Sequence, residues 1–249
     1  MGYRCIAIGA FFILCAPRLY GDDIPPTDPI WSGEGSVSYV QSTGNASSST
    51  VGAGLRSAFE KEGWRAEGRA GFIRSEANNH TSLKRLDGSF RVTHVVSGKF
   101  SAYAQGAYLQ DVFAGVRQQV IIDGGGLIKA VDKTGHELAF TVALIRTNEA
   151  KVISTASRQF WGSRTGLAWQ YQANHAVLLG QEADYVHDFS RGSDWRISSI
   201  SGLSVDMNKI LALKASYQVR YRNILNPGVF HNTDTTFLVS VVARWPGQK

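Results

Sequence analysis

Cysteine is nearly absent. The 249-residue chain has two, Cys5 and Cys15, both within its first sixteen residues. That excludes disulfide frameworks, Cys-based zinc sites and thiol nucleophiles from everything behind them. Proline is scarce, with 6 residues, and charge is modest at 18%. The 26 Lys and Arg against 20 Asp and Glu are spread along the chain. No basic block is dense enough to mark a nucleic-acid footprint. Runs of helical period are also missing. The best apolar run beyond the N-terminus, Leu138 to Ile145, has eight residues, whereas a helical membrane span needs about 20. What is present is 43% hydrophobic residues, 11% aromatics and 26 glycines. This is a globular composition, and it reads as all-β.

The N-terminus reads as an export signal. Arg4 precedes an uncharged stretch, Cys5 to Ala16, which is followed by Pro17, Arg18, Leu19, Tyr20 and Gly21. A positive start, a short apolar core and a small residue at the end are the parts of a secretory signal peptide. Residues 1–21 are therefore expected to be removed after Gly21, with residues 22–30 forming a periplasmic lead. Leu14 stands where a lipoprotein signal would place a small residue before Cys15. Without Arg4 and Arg18, the 26 basic residues fall to 24 against 20 acidic ones.

Beyond residue 30 apolar and polar residues alternate, the period of a strand with two unlike faces. Twelve strands are predicted, at 31–43, 47–60, 64–75, 82–95, 99–110, 116–129, 136–148, 160–173, 176–188, 194–206, 210–222 and 234–245. Ten or fourteen would follow if one hairpin were misread. Soluble sandwiches turn about every 8–12 residues; these strands are longer and suit a tilted membrane span of about 9–11 residues plus overhang. The links on the side of the N-terminus are mostly short and several opposite ones are longer, as in outer-membrane barrels. One face of 211–222 reads Leu211, Leu213, Ala215, Tyr217, Val219 and Tyr221; the other reads Ala212, Lys214, Ser216, Gln218, Arg220 and Arg222. On the apolar face Trp31, Phe59, Trp64, Phe100, Trp169, Tyr171 and Trp245 fall at one end of the strands. Tyr39, Phe72, Tyr108, Trp161, Tyr185, Trp195, Tyr221 and Phe237 fall at the other. Two aromatic belts of this kind mark the two boundaries of a membrane. The fold class is thus all-β, a closed antiparallel transmembrane β-barrel over residues 31–245, with 246–249 as a tail.

Several segments carry a family resemblance over roughly residues 31–245. Trp31-Ser-Gly-Glu-Gly35 leading to Ser42-Thr-Gly-Asn45, then Gln110-Asp111 with Phe113 and Gly115, then Pro227 with Thr233-Asp234-Thr235 resemble a bacterial group. It is the salt-induced outer membrane protein group, domain of unknown function 481. The resemblance implies an outer-membrane location. It supplies no catalytic residues and no agreed substrate.

The face opposite the apolar one collects the charges. Arg56, Arg65, Arg69, Arg85, Arg91, Arg117, Arg164, Arg196, Lys214, Arg220, Arg222 and Arg244 are predicted to face a lumen. So are Glu34, Glu60, Glu67, Asp87, Asp123, Glu137, Glu182, Asp184 and Asp206. Arginine suits such an interior because its planar fork bonds carboxylates in a bidentate manner. Ion pairs that hold the barrel in shape are the first expectation, Glu182 and Asp184 included. A surplus of three positive charges adds a mild preference for anions. His80-Thr81-Ser82, beside Asn78 and Asn79, is the one arrangement with a nucleophile and a base, but Asn, His and Ser are also ordinary turn residues. Asp123-Gly124-Gly125-Gly126 is followed by no Gly-Lys-Ser/Thr, so it marks a bend or a close backbone approach rather than a phosphate loop. No cofactor, metal or nucleic acid is expected. The expected partners are outer-membrane lipid, the barrel-assembly machinery during insertion and a small anionic solute. The function so predicted is a non-enzymatic narrow pore. Its rivals are a closed structural or envelope-stress barrel and, last, an outer-membrane lipid hydrolase.

Overall fold

The computed structural model describes residues 29–42, 48–78, 80–153, 157–225 and 231–248. The export signal, most of the lead, Asn79 and Pro227 lie outside the described residues. Twelve strands follow one another: β1 (Ile30–Ser42), β2 (Ser48–Lys61), β3 (Trp64–Ala77), β4 (His80–Ser97), β5 (Phe100–Asp111), β6 (Val116–Lys133), β7 (His136–Lys151), β8 (Ser157–Gln172), β9 (Val177–Asp188), β10 (Trp195–Asp206), β11 (Leu211–Arg222) and β12 (Thr233–Gln248). Each pairs antiparallel with its sequence neighbours, and β1 pairs with β12, so the sheet closes into a barrel. Closure leaves no edge strand among the described residues.

The distribution of side chains is the reverse of a water-soluble protein's. Val37, Ile122 and Val142 point outward and are 65%, 63% and 61% exposed, while Asp111 and Glu149 point inward and are 1% exposed. Both predicted belts face outward, and all of their members lie on the outer parity of their strands. Trp31 packs on Phe59 with ring centroids 4.8 Å apart, Trp64 stacks on His94 at 4.3 Å, and Trp195 stacks on Tyr221 at 4.9 Å. Such cross-strand ring pairs stabilise an outer surface that no protein core covers.

The links at the belt of Trp31 and Trp64 are tight. Glu62 and Gly63 both have positive φ, 49° and 80°, the type I′ geometry whose twist matches the flanking strands. The Asn174 side-chain oxygen accepts from the backbone N–H of Ala176 and Val177, and Asn208 does the same for Ile210 and Leu211. These are side-chain-capped turns. Several strands run further than the alternation predicted: β7 continues to Lys151, β8 begins at Ser157, β4 covers His80–Ser97 and β6 reaches Lys133. The predicted connection between 148 and 160 is thereby strand as far as Lys151 and again from Ser157. A fully built 18-residue strand is about 60 Å long, well beyond a tilted hydrocarbon crossing.

Arg117 corrects the lumen prediction. The register slips between Val116 and Gln118, so Val116 turns inward and is 5% exposed while Arg117 is exposed. Simple parity counted through that bulge assigns Arg117 to the wrong face. The triple glycine behaves as a close approach: a Cβ on Gly125 would overlap the Val142 carbonyl oxygen and lie 2.6 Å from Ala143 Cα.

Candidate functional site: the charged lumen

Strands alternate faces, so every second residue of all twelve delivers a side chain to one interior. There the strands hold a cavity of about 360 Å³, lined among others by Glu67, Arg69, Arg85, Asp87, Arg91, Gln105, Asp111, Gln119, Arg164, Glu182, Asp184, Arg196, Arg220 and Arg222. Of the predicted lumen residues, Glu67, Arg69, Arg85, Asp87, Arg91, Arg164, Glu182, Asp184, Arg196, Arg220 and Arg222 line it directly. Arg56 and Lys214 are also inward and are buried, 5% and 6% exposed. Arg117 does not line it.

Three layers of contact follow from the register. Toward the turn side, Glu67 of β3 receives three guanidiniums: Arg56 at 2.6 Å, Arg65 at 3.0 Å, and Arg69 through its Nε. Arg65 also pairs with Glu60, and Arg244 pairs with Asp206 and lies 3.8 Å from Glu34. At the waist, Arg91 donates from Nε to Gln105 at 2.6 Å, and its guanidinium rests over the Tyr103 ring at 4.4 Å. Asp123 of β6 pairs with Arg164 of β8.

Toward the far mouth, Arg85 donates to Asp87 at 3.0 Å and lies 3.8 Å from Asp111. Asp111 closes the end of β5, and Arg220 of β11 donates to it from two nitrogens at 3.2 Å. β5 and β11 are six strands apart in a ring of twelve, so this pair forms only across the lumen. Glu149 on β7 accepts from Arg196 and Arg222 at 2.9 Å each and from Gln119 at 2.7 Å. Arg158 bridges Asp188 and Asp194. Asp194 lies in the turn before β10. Burial pushes its carboxyl up, but the guanidiniums of Arg196 and Arg222 and hydrogen bonds from Arg158 and Arg196 hold it below the usual aspartate value.

Two expectations change here. Glu182 and Asp184 do face the lumen, yet neither carboxylate has an ion-pair or hydrogen-bond partner among the described residues. The arginines on the two flanking strands, Arg164 and Arg196, both register partners of Val186, are taken by Asp123 and by Glu149 with Asp194. The positive surplus also disappears. Asp111, Glu149, Asp188, Asp194 and Asp234 all join the interior networks; Asp188, Asp194 and Asp234 stand at the ends of the predicted strands 176–188, 194–206 and 234–245, on the lumen parity. Glu149 and Asp111 lie one residue past the predicted strand ends but keep the inward parity of Thr147 and Leu109. Continuing the alternation would have found them. Elsewhere, His80 and Ser82 fall on the outward parity at the start of β4, and Arg74 reaches Thr81 at 3.4 Å.

No curated protein matches this sequence. Among solved structures, the chain is similar to the β-domain of the Bordetella autotransporter Brka, at 14% identity with a TM-score of 0.47, covering 88% of this chain and 100% of that one. It is also similar to the NanC porin, at 11% identity and 0.47, and to an anion-selective porin from Comamonas acidovorans, at 9% and 0.44; both cover 88% of this chain and all of the other. Residues 35–245 match the family described as protein of unknown function, DUF481, and the chain belongs to that family.

Proposed function

We propose that the protein sits in the outer membrane and is a narrow, non-enzymatic pore for small solutes. The carrying observation is the lumen itself: a cavity of about 360 Å³, walled by charged side chains of β3 to β5 and of β8 to β12. That volume lies at the lower end of the about 300–1,000 Å³ typical of small-molecule sites. The membrane setting is supported by an outward apolar surface between two belts of Trp, Tyr and Phe, which water does not favour and hydrocarbon does. Outer-membrane lipid is then the partner of the outer face. The terminal strand β12, with Phe237 and Trp245 outward, is what the insertion machinery would engage. With the acidic residues of the mouth counted, the interior is close to balanced, so selection for anions by net charge is not part of the proposal.

A second reading has its own observation. The Arg220–Asp111 pair across the lumen, beside the Glu149 cluster, favours a closed structural barrel. Planar-bilayer recording of the purified, folded protein separates the two. Discrete conductance steps support the pore. A folded, inserted barrel that stays silent across a salt gradient would overturn it in favour of the closed barrel.

A further inference from the structure

The waist of the lumen has charge that is not neutralised locally, and its two signs lie on opposite walls. In the closed order, β3 and β9 are six strands apart out of twelve and so face each other. On the wall of β2 to β4, Glu67 takes Arg56, Arg65 and Arg69 together, Glu60 takes Arg65, and Asp87 is held by Arg85. Arg69 uses only its Nε on Glu67. Arg91 uses only its Nε, on the neutral Gln105, and the Tyr103 ring under its guanidinium fixes its direction. Both therefore offer terminal nitrogens to the cavity that they line. On β9, Glu182 and Asp184 line the same cavity without a partner of opposite charge among the described residues.

A short chain of register pairs and contacts leads from Arg91 to Asp184 within the cavity that both line. Arg91 stands opposite Gln105 in register, and Gln105 opposite Asp123. Asp123 holds Arg164, which is two residues from Gly166, the register partner of Asp184. Gly166 also keeps the space beside that carboxylate open: a Cβ there would stand 2.9 Å from Asp184 Oδ1. Unpaired charges facing a confined lumen are expensive unless water or a solute answers them. Here the answer has to carry both signs.

We propose that this waist selects small zwitterions of amino-acid size, with the solute carboxylate toward Arg69 and Arg91 and its ammonium toward Glu182 and Asp184. The proposal rests on the pore reading and names the solute class for it. A net-neutral dipole is drawn in and aligned by a field across the lumen, whereas an uncharged solute gains nothing and a single ion meets one repelling wall.

Alanine and lactamide test this, because they are isomers that differ in being zwitterionic and uncharged. The whole exported protein, taken from bacterial membranes in folded form, is reconstituted in liposomes. Osmotic swelling is then read against protein-free liposomes. Alanine should enter roughly five- to tenfold faster than lactamide. The double variant E182Q/D184N, with folding checked by gel mobility with and without heating, should lose most of that ratio while its lactamide rate holds. Equal rates for the two isomers in the unaltered protein, with both above background, would overturn the zwitterion proposal and leave the pore standing. So would a ratio that survives E182Q/D184N. Entry of neither solute would overturn the pore reading and this one with it.

Discussion

Glu149 is where one changed atom should be felt most. Its carboxylate is 1% exposed and takes four donated bonds: Arg196 Nη1 at 2.9 Å, Arg222 Nη2 at 2.9 Å, Arg222 Nη1 at 3.4 Å and Gln119 Nε2 at 2.7 Å. Glu149→Gln keeps the shape but removes the charge that offsets two guanidiniums which are themselves only 19% and 16% exposed. Removing one partner of a buried ion pair costs about 3–5 kcal/mol, because the other charge stays behind. Both arginines keep a more distant partner in Asp194, at 3.5 and 3.6 Å, which argues for the lower figure. About 3 kcal/mol corresponds to a change of roughly a hundredfold in the folded-to-unfolded ratio. The assay is reversible urea unfolding in short-chain lipid vesicles, followed by tryptophan fluorescence. Arg222→Met serves as the second arm of a double-mutant cycle, and the double variant should lose less than the sum of the two singles. A loss under about 1 kcal/mol for Glu149→Gln, or strict additivity with Arg222→Met, would refute the reasoning, since it would show that water already satisfies these groups.

Four further outcomes are expected. Val142→Arg, near the middle of β7 on the outward face, should destabilise the inserted barrel by about 2–4 kcal/mol in the same unfolding assay. Gly125→Ala should cost about 1–3 kcal/mol, because its Cβ has no room beside Val142 and Ala143. The Asp194 carboxyl, held below its usual value by its arginines, stabilises the fold above the unfolded aspartate value of about 3.9, and that contribution is lost as pH falls through the lower folded value. Asp194→Asn should therefore flatten the acid limb of a pH titration of unfolding and leave the neutral region with a constant offset. Arg220→Ala should open the path that the Asp111 pair crosses, read as larger single-channel steps.

The strand count and the two faces were legible because the membrane imposes them residue by residue. A barrel wall between hydrocarbon and a polar lumen forces strict alternation, and a run such as Leu211 to Arg222 shows both solvents in twelve letters. The strand ends were less legible. Past the hydrocarbon the outer face no longer has to be apolar, so Glu149 reads as the start of a loop although the ladder continues to Lys151. Asp111 and Glu149 fall just past such ends, whereas Asp188, Asp194 and Asp234 are the last or first residues of their predicted strands and carry the lumen parity. Arg117 failed for another reason: a bulge changes parity without changing composition, and Val116-Arg117-Gln118 carries no local mark of it.

Sequence reading also could not say which arginine meets which acid, because parity gives the face and not the partner. Glu182 and Asp184 share a face with several arginines in the alternation, yet Arg164 turns to Asp123 two strands away, and Arg220 crosses the lumen to Asp111. Pairing is decided by reach across a closed ring, which needs the closure of β1 on β12. Once the ends of the strands are added, the interior approaches charge balance, as expected where no bulk water screens a net charge. Balance over the whole lumen does not require balance at each depth. Where, among the described residues, two guanidiniums on one wall keep terminal nitrogens without acids and two carboxylates on the opposite wall keep no base, the local imbalance is a field directed across the proposed path. A field in that direction discriminates among solutes by their dipoles rather than by their net charge.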